Sequence, residues 1–187
     1  MSIVLDHQLQ EQMPHDTTNF PITFFSDELA GLPGWAGPLH WHSNFEITMA
    51  EKGVLEYQVG QQHIILEAGD SIFVNVNMLH GIKQLSGDQP DAMPNVVFSG
   101  TLVAPETSTV YQKYILPIIG CDSLPFVVFR HREKKHCEVN HLISEIFAAF
   151  REQEICYKCG FHSVNYFNSQ FRKRYGYAPG KIRKLGK

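Results

Sequence analysis

The sequence contains no long apolar run. Among its 187 residues, no stretch approaches the ~20 consecutive apolar side chains that a membrane-spanning helix requires. The first residues, MSIVLDHQLQEQ, lack a charged start followed by an apolar core and a small-residue cleavage site, so no secretory leader is expected. Cysteine is scarce. Four cysteines without an export signal read as reduced cytosolic thiols rather than a disulfide framework, and a cytoplasmic protein is expected. No internal repeat and no low-complexity tract is present. Acidic side chains are missing from one whole region. After Glu154 come eight basic residues (Lys158, Arg172, Lys173, Arg174, Lys181, Arg183, Lys184 and Lys187) and no acidic one, so the overall charge of −3 leaves −11 for residues 1–154. An acidic body with a basic tail is the asymmetry of a nucleic-acid contact segment; the competing reading is a merely solubilising tail.

What is present is enough to build a core. Hydrophobic residues make up 43% and aromatic residues 12% of the chain, which excludes wholesale disorder. Residues 1–18 are polar and are expected to form a flexible arm. From Phe20 onward, β-rich runs such as FPITFF, NFEITMAEKGVLEYQVGQQ, HIILEAGDSIFVNV and PNVVFSG alternate with turn signals. Glycines 53, 60, 69, 81 and 87 punctuate them at the spacing of an antiparallel sandwich or barrel. After Pro105 the pattern changes. Val110 to Ile119 reads as a short helix broken near Pro117, and PFVVF (125–129) as a strand or an apolar connector. From Cys137 the period becomes helical: Val139, Leu142, Ile143, Ile146, Phe147 and Phe150 form one apolar stripe. That stripe fits packing on the barrel and pairing with a second copy equally well.

Chemistry concentrates in two places. In the first, His40 and His42 alternate on one strand and so point the same way, with Glu46 beside them if the strand stays regular. Imidazoles and a carboxylate converging inside a barrel make a candidate metal site, and His80 follows as a fourth donor. Trp35, Trp41, Phe45, Tyr57 and Phe73 are candidate walls of an effector pocket, since such pockets are mostly apolar with a few placed polar groups; each is also at home in a core.

The stretch Gly34, five residues, His40-x-His42, three residues, Glu46, six residues, Gly53 resembles the first motif of the cupin family. The spacing of the second motif holds from Gly69 to His80, but Asn75 stands where Pro is usual, Asn77 where Gly is usual, and Gln84 where Asn is usual. The resemblance covers about Phe20 to Val103. It implies a double-stranded β-barrel with His40, His42, Glu46 and His80 at the metal-ligand positions for a divalent ion (Zn, Ni, Mn or Fe). Barrels of this kind that serve as sensors in regulators often keep these residues without a catalytic metal, so no cofactor is required by the reading.

The second place is the tail. Ser163 is a good N-cap. Phe167, Phe171 and Tyr175 form an apolar stripe, and Gly176 supplies a helix stop. Asn165, Asn168, Ser169, Arg172 and Lys173 occupy the opposite face, the kinds of side chain that reach base edges and phosphates. Helix, glycine-containing turn and polar-faced helix make a helix-turn-helix. Ile155-Cys156, Cys159-Gly160-Phe161, Ser163, Tyr166-Phe167, Phe171-Arg172-Lys173, Gly176, Pro179 and Arg183 resemble the signature of AraC-type transcription regulators, with Cys156 in place of the usual Ala and Ala178 in place of the usual Thr. The resemblance implies DNA contacts from Ser163, Asn165, Tyr166, Asn168, Ser169, Arg172, Lys173 and Arg183. Such regions normally hold two helix-turn-helix units, and here only the last part of the second is found. Cys156-x-x-Cys159 has redox or zinc spacing, yet no second pair follows, and the two read as ordinary thiols near a turn.

The expected fold is therefore mostly β with C-terminal helices. A flexible arm (1–18) precedes a cupin sensor barrel with a short helical connector (19–135), an amphipathic dimerisation helix (136–154) and a partial helix-turn-helix (155–187). The expected function is a non-enzymatic, ligand-responsive DNA-binding transcription regulator, a homodimer that binds a small-molecule effector such as a sugar, binds DNA weakly and in a salt-dependent way, and has no membrane partner. The alternatives are a metal-dependent cupin enzyme of dioxygenase or isomerase type and a dimeric sensor module that does not bind DNA.

Overall fold

The computed structural model describes residues 3–12, 21–26, 29, 32–85 and 92–179. Among the described residues, nine strands form in the β-rich stretch: β1 (Ile22–Phe25), β2 (Ala36–His40), β3 (Phe45–Met49), β4 (Val54–Val59), β5 (Gln62–Glu67), β6 (Ser71–Val74), β7 (His80–Gln84), β8 (Asn95–Phe98) and β9 (Phe126–Phe129). They make a five-stranded sheet in the order β1-β8-β3-β6-β9 and a four-stranded sheet in the order β2-β7-β4-β5. All pairs are antiparallel. PFVVF is thus a strand, paired edge to edge with β6.

Alternation decides which side chains go inward. Leu55, Tyr57 and Val59 of β4, Ile64 and Leu66 of β5, Ile72 and Val74 of β6 and Ile82 of β7 form one buried cluster drawn from both sheets. Phe45 and Phe73, of opposite parity on the five-stranded sheet, belong to a second cluster, in which Phe45 and Val76, beyond the end of β6, pack with Ala104, Tyr111 and Ile115, with Phe73 and Phe98 against them. The connector that covers this outer face is a π-helical turn (Tyr111–Ile115) continued by α1 (Leu116–Ile119). Pro117, with no N–H to donate, sits in the first turn of α1, where no donor is missed.

The helices after β9 are α2 (Cys137–Lys158) and α3 (Val164–Tyr175). The chain divides into two compact units, residues 1–141 and 142–187. In the first, the start of α2 is pinned by Asn140, which accepts from Ser71 Oγ at 2.7 Å and donates to the Phe129 carbonyl at 3.0 Å. In the second, the expected stripe divides: Ile143 and Phe147 are buried, whereas Leu142 and Ile146 are half exposed. Among the described residues, no helix is long and apolar enough to cross a membrane.

Of the arm expected over residues 1–18, residues 3–12 are described, and 1–2 and 13–18 lie outside the described residues. Residues 3–12 are not a loose arm but a folded-back turn, with Asp6 N–H bonded to the Gln10 carbonyl and Gln12 N–H to the Val4 carbonyl. The Asp6 carboxylate also accepts from the Gln8 and Gln10 backbone N–H groups. Polar composition gave no sign of it, because the order comes from backbone bonds to Trp41 rather than from burial of apolar side chains.

Candidate metal centre and nucleic-acid interface

The four donors named from the sequence come together: ligand atoms of His40, His42, Glu46 and His80 all lie within 4.8 Å of one another, and all four residues are buried. The route differs from a single regular strand. β2 ends at His40, the chain bends at Ser43 and Asn44, and Glu46 belongs to β3. A register shift between Gly37 and His40 sets His40 directly opposite His80 across the β2–β7 pair, with ring centroids 4.3 Å apart. Pro38, which cannot donate to a ladder, sits within this bulge. The two strands approach closely there because Gly81 has no Cβ; one would lie 3.2 Å from the Gly37 carbonyl oxygen.

Each imidazole is oriented in the same manner. The Nδ1–H groups of His40, His42 and His80 donate to the carbonyls of Pro38 (2.9 Å), Asn44 (3.0 Å) and Met78 (2.8 Å). A carbonyl only accepts, so Nδ1 carries the proton and the lone pair of the neutral ring is on Nε2. Nε2 of His42 and of His80 face Glu46 Oε2 at 3.2 and 3.1 Å. Glu46 Oε1 accepts from Thr48 Oγ1 at 2.6 Å and from Tyr57 OH at 2.9 Å.

Electrostatics favour a cation among these atoms. Burial raises the pKa of the Glu46 carboxyl, but His80 and His42 outweigh it and hold the group well below the usual carboxylate range. Burial, reinforced by His80, lowers His40 to about 4. Burial also lowers His80, yet Glu46 prevails and raises it. Burial, with Glu46 beside it, pushes the Tyr57 phenol well above its usual value. Three imidazole Nε2 atoms and a carboxylate are a donor set for a divalent metal. Donors bound to one ion at about 2.0–2.2 Å stand about 3–4 Å apart, so the residues fit such an ion with little rearrangement.

The five aromatic wall candidates separate. Tyr57 touches the cluster, stacked over His80 with ring centroids 6.1 Å apart. Phe45 and Phe73 do not: they pack on each other (5.4 Å) in the outer cluster, because their parity on β3 and β6 is opposite to that of Glu46 and Val74. Trp41 donates its indole N–H to the Gln8 carbonyl at 3.0 Å, and Trp35 packs against the inner core.

In the second unit, α2 ends in a Schellman motif. Phe161 N–H bonds to the Cys156 carbonyl, Gly160 N–H to the Tyr157 carbonyl, and Gly160 takes φ +78°. Cys156 is buried, its thiol 3.6 Å from the Phe161 carbonyl, and the Phe161 ring begins an aromatic ladder: Phe161–Phe167 (5.2 Å), Phe167–Phe171 (5.8 Å) and Phe171–Tyr175 (4.5 Å). Ser163 Oγ accepts from Tyr166 N–H as the N-cap of α3, and Gly176 closes the helix at φ +82°. Ser163 thus spends its oxygen on the cap. Asn165, Asn168, Ser169, Arg172 and Lys173 recur at i, i+3, i+4, i+7 and i+8, share one face and line one concavity. Among the described residues, Asn168 Oδ1 is the buried side-chain oxygen or nitrogen with no hydrogen-bond partner. Tyr166 is 58% exposed, its ring against Phe161. Arg183 lies outside the described residues.

Comparison with known proteins agrees with both halves. Residues 32–93 match the cupin domain, and residues 153–184 match the bacterial regulatory helix-turn-helix proteins of the AraC family. The chain thus carries a segment that matches the cupin domain followed by one that matches the AraC-family helix-turn-helix. An uncharacterized HTH-type transcriptional regulator, YdeC of Bacillus subtilis (strain 168), is 25% identical over 132 residues, which is 67% of this chain and 42% of that protein; the chain spans less than half of that relative. Among solved structures, ToxT of Vibrio cholerae O395, bound to a naphthalenyl-butenoic acid, is 11% identical, covering 84% of this chain and 57% of its own at a TM-score of 0.45. An RmlC-like cupin of Shewanella frigidimarina NCIMB 400 is 20% identical, covering 43% and 68% at 0.36.

The departures from the second cupin motif have local reasons. Asn77 adopts φ +60°, the left-handed conformation that glycine takes and asparagine tolerates. Asn75 anchors the connector, donating to the carbonyls of Ile118 (2.7 Å) and Leu124 (3.0 Å). Three residues beside the donor cluster went unnoticed in the sequence: Thr48, Asn44 and Glu11, whose Oε2 lies 3.7 Å from His40 Nε2. Thr48 was legible two places after Glu46 on the same face. Glu11 was not, since nothing local ties position 11 to position 40.

Proposed function

We propose that the chain is a ligand-responsive, DNA-binding transcription regulator whose cupin domain receives a small polar effector and whose AraC-family segment contacts DNA. The observation that carries this reading is the single face of α3 on which Asn165, Asn168, Ser169, Arg172 and Lys173 lie together, within the segment that matches the AraC-family helix-turn-helix. The regulator name of the YdeC relative supports it. Asparagine and arginine reach base edges and lysine the phosphates, with α3 as the reading helix in the major groove. One reading helix per chain makes few phosphate contacts, so binding is weak and strongly salt-dependent. The protein works in the cytoplasm as a homodimer, for which the half-exposed Leu142 and Ile146 supply an apolar face.

In the cupin domain, His40, His42, Glu46 and His80 hold a divalent ion (Zn, Ni, Mn or Fe) that serves as a Lewis-acidic anchor for the effector rather than as a catalyst. Tyr57 and Thr48 hold Glu46 in place. The same donor set is what a cupin enzyme of dioxygenase or isomerase type would use, and turnover of a substrate by metal-loaded protein would displace the regulator reading. The test of that reading is a mobility-shift titration at low salt with a random duplex pool. Enrichment of a preferred sequence, lost in Asn168→Ala and Arg172→Ala, is expected; an absence of any shifted species leaves only a sensor module.

A further inference from the structure

The N-terminal segment meets the cupin domain beside the metal donors. Trp41 N–H donates to the Leu9 carbonyl at 3.0 Å, and Glu11 N–H donates to the Trp41 carbonyl at 2.9 Å. Trp41 stands between His40 and His42, so this pairing sets Glu11 in register with them. Glu11 Oε2 lies 3.7 Å from His40 Nε2, and the Glu11 side chain is only 13% exposed.

A carboxylate placed beside a second buried carboxylate is unfavourable without positive charge between them. One divalent ion balances Glu11 and Glu46 together. The 3.7 Å separation is also within the spacing of two donors that share one ion at about 2.1 Å.

We propose that Glu11 is a fifth, chain-terminal ligand of the metal site and holds the position that a small carboxylate compound takes when it binds. This rests on reading the four-residue cluster as a metal site. With Glu11 in place the site is neutral. With Glu11 withdrawn, a divalent ion on three histidines and one glutamate carries one net positive charge, and a monoanion restores neutrality. A neutral molecule such as a sugar does not replace that charge, so the site selects carboxylate-bearing effectors.

The test uses the full chain, stripped of metal and loaded with Co(II), as wild type, Glu11→Gln and Glu11→Ala. Affinity is read by competition with a chromophoric chelator, and coordination by the visible absorption of the bound Co(II). The two variants are expected to bind Co(II) roughly tenfold more weakly, with an altered spectrum. Acetate is expected to return the Glu11→Ala spectrum to that of wild type at concentrations that leave wild type unchanged, and glucose to do nothing. Identical Co(II) affinity and spectra in all three proteins, or equal acetate sensitivity, overturns the role of Glu11 and leaves the metal site standing. Failure of wild type to take up Co(II), or uptake undiminished by His80→Ala, overturns the metal reading and this proposal with it.

Discussion

His40 shows how much a single position depends on its surroundings. Its sequence context pairs it with His42, but its burial and its place opposite His80 come from one extra residue in β2, which alternation alone does not reveal. Burial and His80 lower it to about 4 from an ordinary 6.5. Between these values the unfolded chain binds a proton that the folded chain refuses, so folding stability decreases as pH falls from about 6.5 towards 4. In metal-free protein, denaturation midpoints over this interval should fall less steeply for His40→Gln than for wild type; parallel curves would contradict the assignment. Tyr57 offers a second check. Tyr57→Phe removes one of the two donors to Glu46 Oε1 and should cost about 1–2 kcal/mol in denaturant unfolding.

At the scale of elements, the strands were legible because apolar residues alternate and glycines separate them, and α3 because its cap, stripe and stop are all local. The long α2 was legible only in part. Its apolar stripe from Cys137 stood out, but the helix continues unbroken to Lys158 through Gln153, Glu154 and Ile155, where the apolar period fades. What ends it is Gly160 in the left-handed region, with no atom within 4 Å of where a Cβ would be. Gly160→Ala therefore meets only the backbone penalty and should lower stability by about 1 kcal/mol, whereas Gly160→Asn should cost less. Another joint was invisible in the sequence. Asp70 accepts from Arg130 Nη1 (2.8 Å) and from both N–H groups of His131 (2.8 Å each), tying the turn after β5 to the end of β9. Burial pushes this carboxyl up, but the His131 and Arg130 bonds more than compensate, so its pKa falls below 3.8. The folded state then holds its proton less tightly than the unfolded chain, and the stabilisation is present above about pH 4 and lost as pH falls through the depressed value. Asp70→Asn should cost about 2 kcal/mol at pH 7, with the gap to wild type closing as pH falls below the depressed value.

For the whole molecule, the division of charge was the most informative property of the sequence, and the structure gives it a place: Arg172, Lys173 and Arg174 crowd the last turn of α3. The cluster of His40, His42, Glu46 and His80 was legible in kind, because His-x-His and Glu46 announce it, but the approach of residues 3–12 to it was not. That contact joins positions about 30 residues apart through backbone bonds, which leave no mark in composition. DNA contact through the cations on the α3 face, as proposed, is read from the salt dependence of DNA affinity. Fluorescence anisotropy of a labelled duplex titrated with the full chain should give log K falling linearly with log salt, and Arg172→Ala combined with Lys173→Ala should reduce the slope by about 2. An unchanged slope in the double variant, or no binding by wild type at low salt, would contradict it.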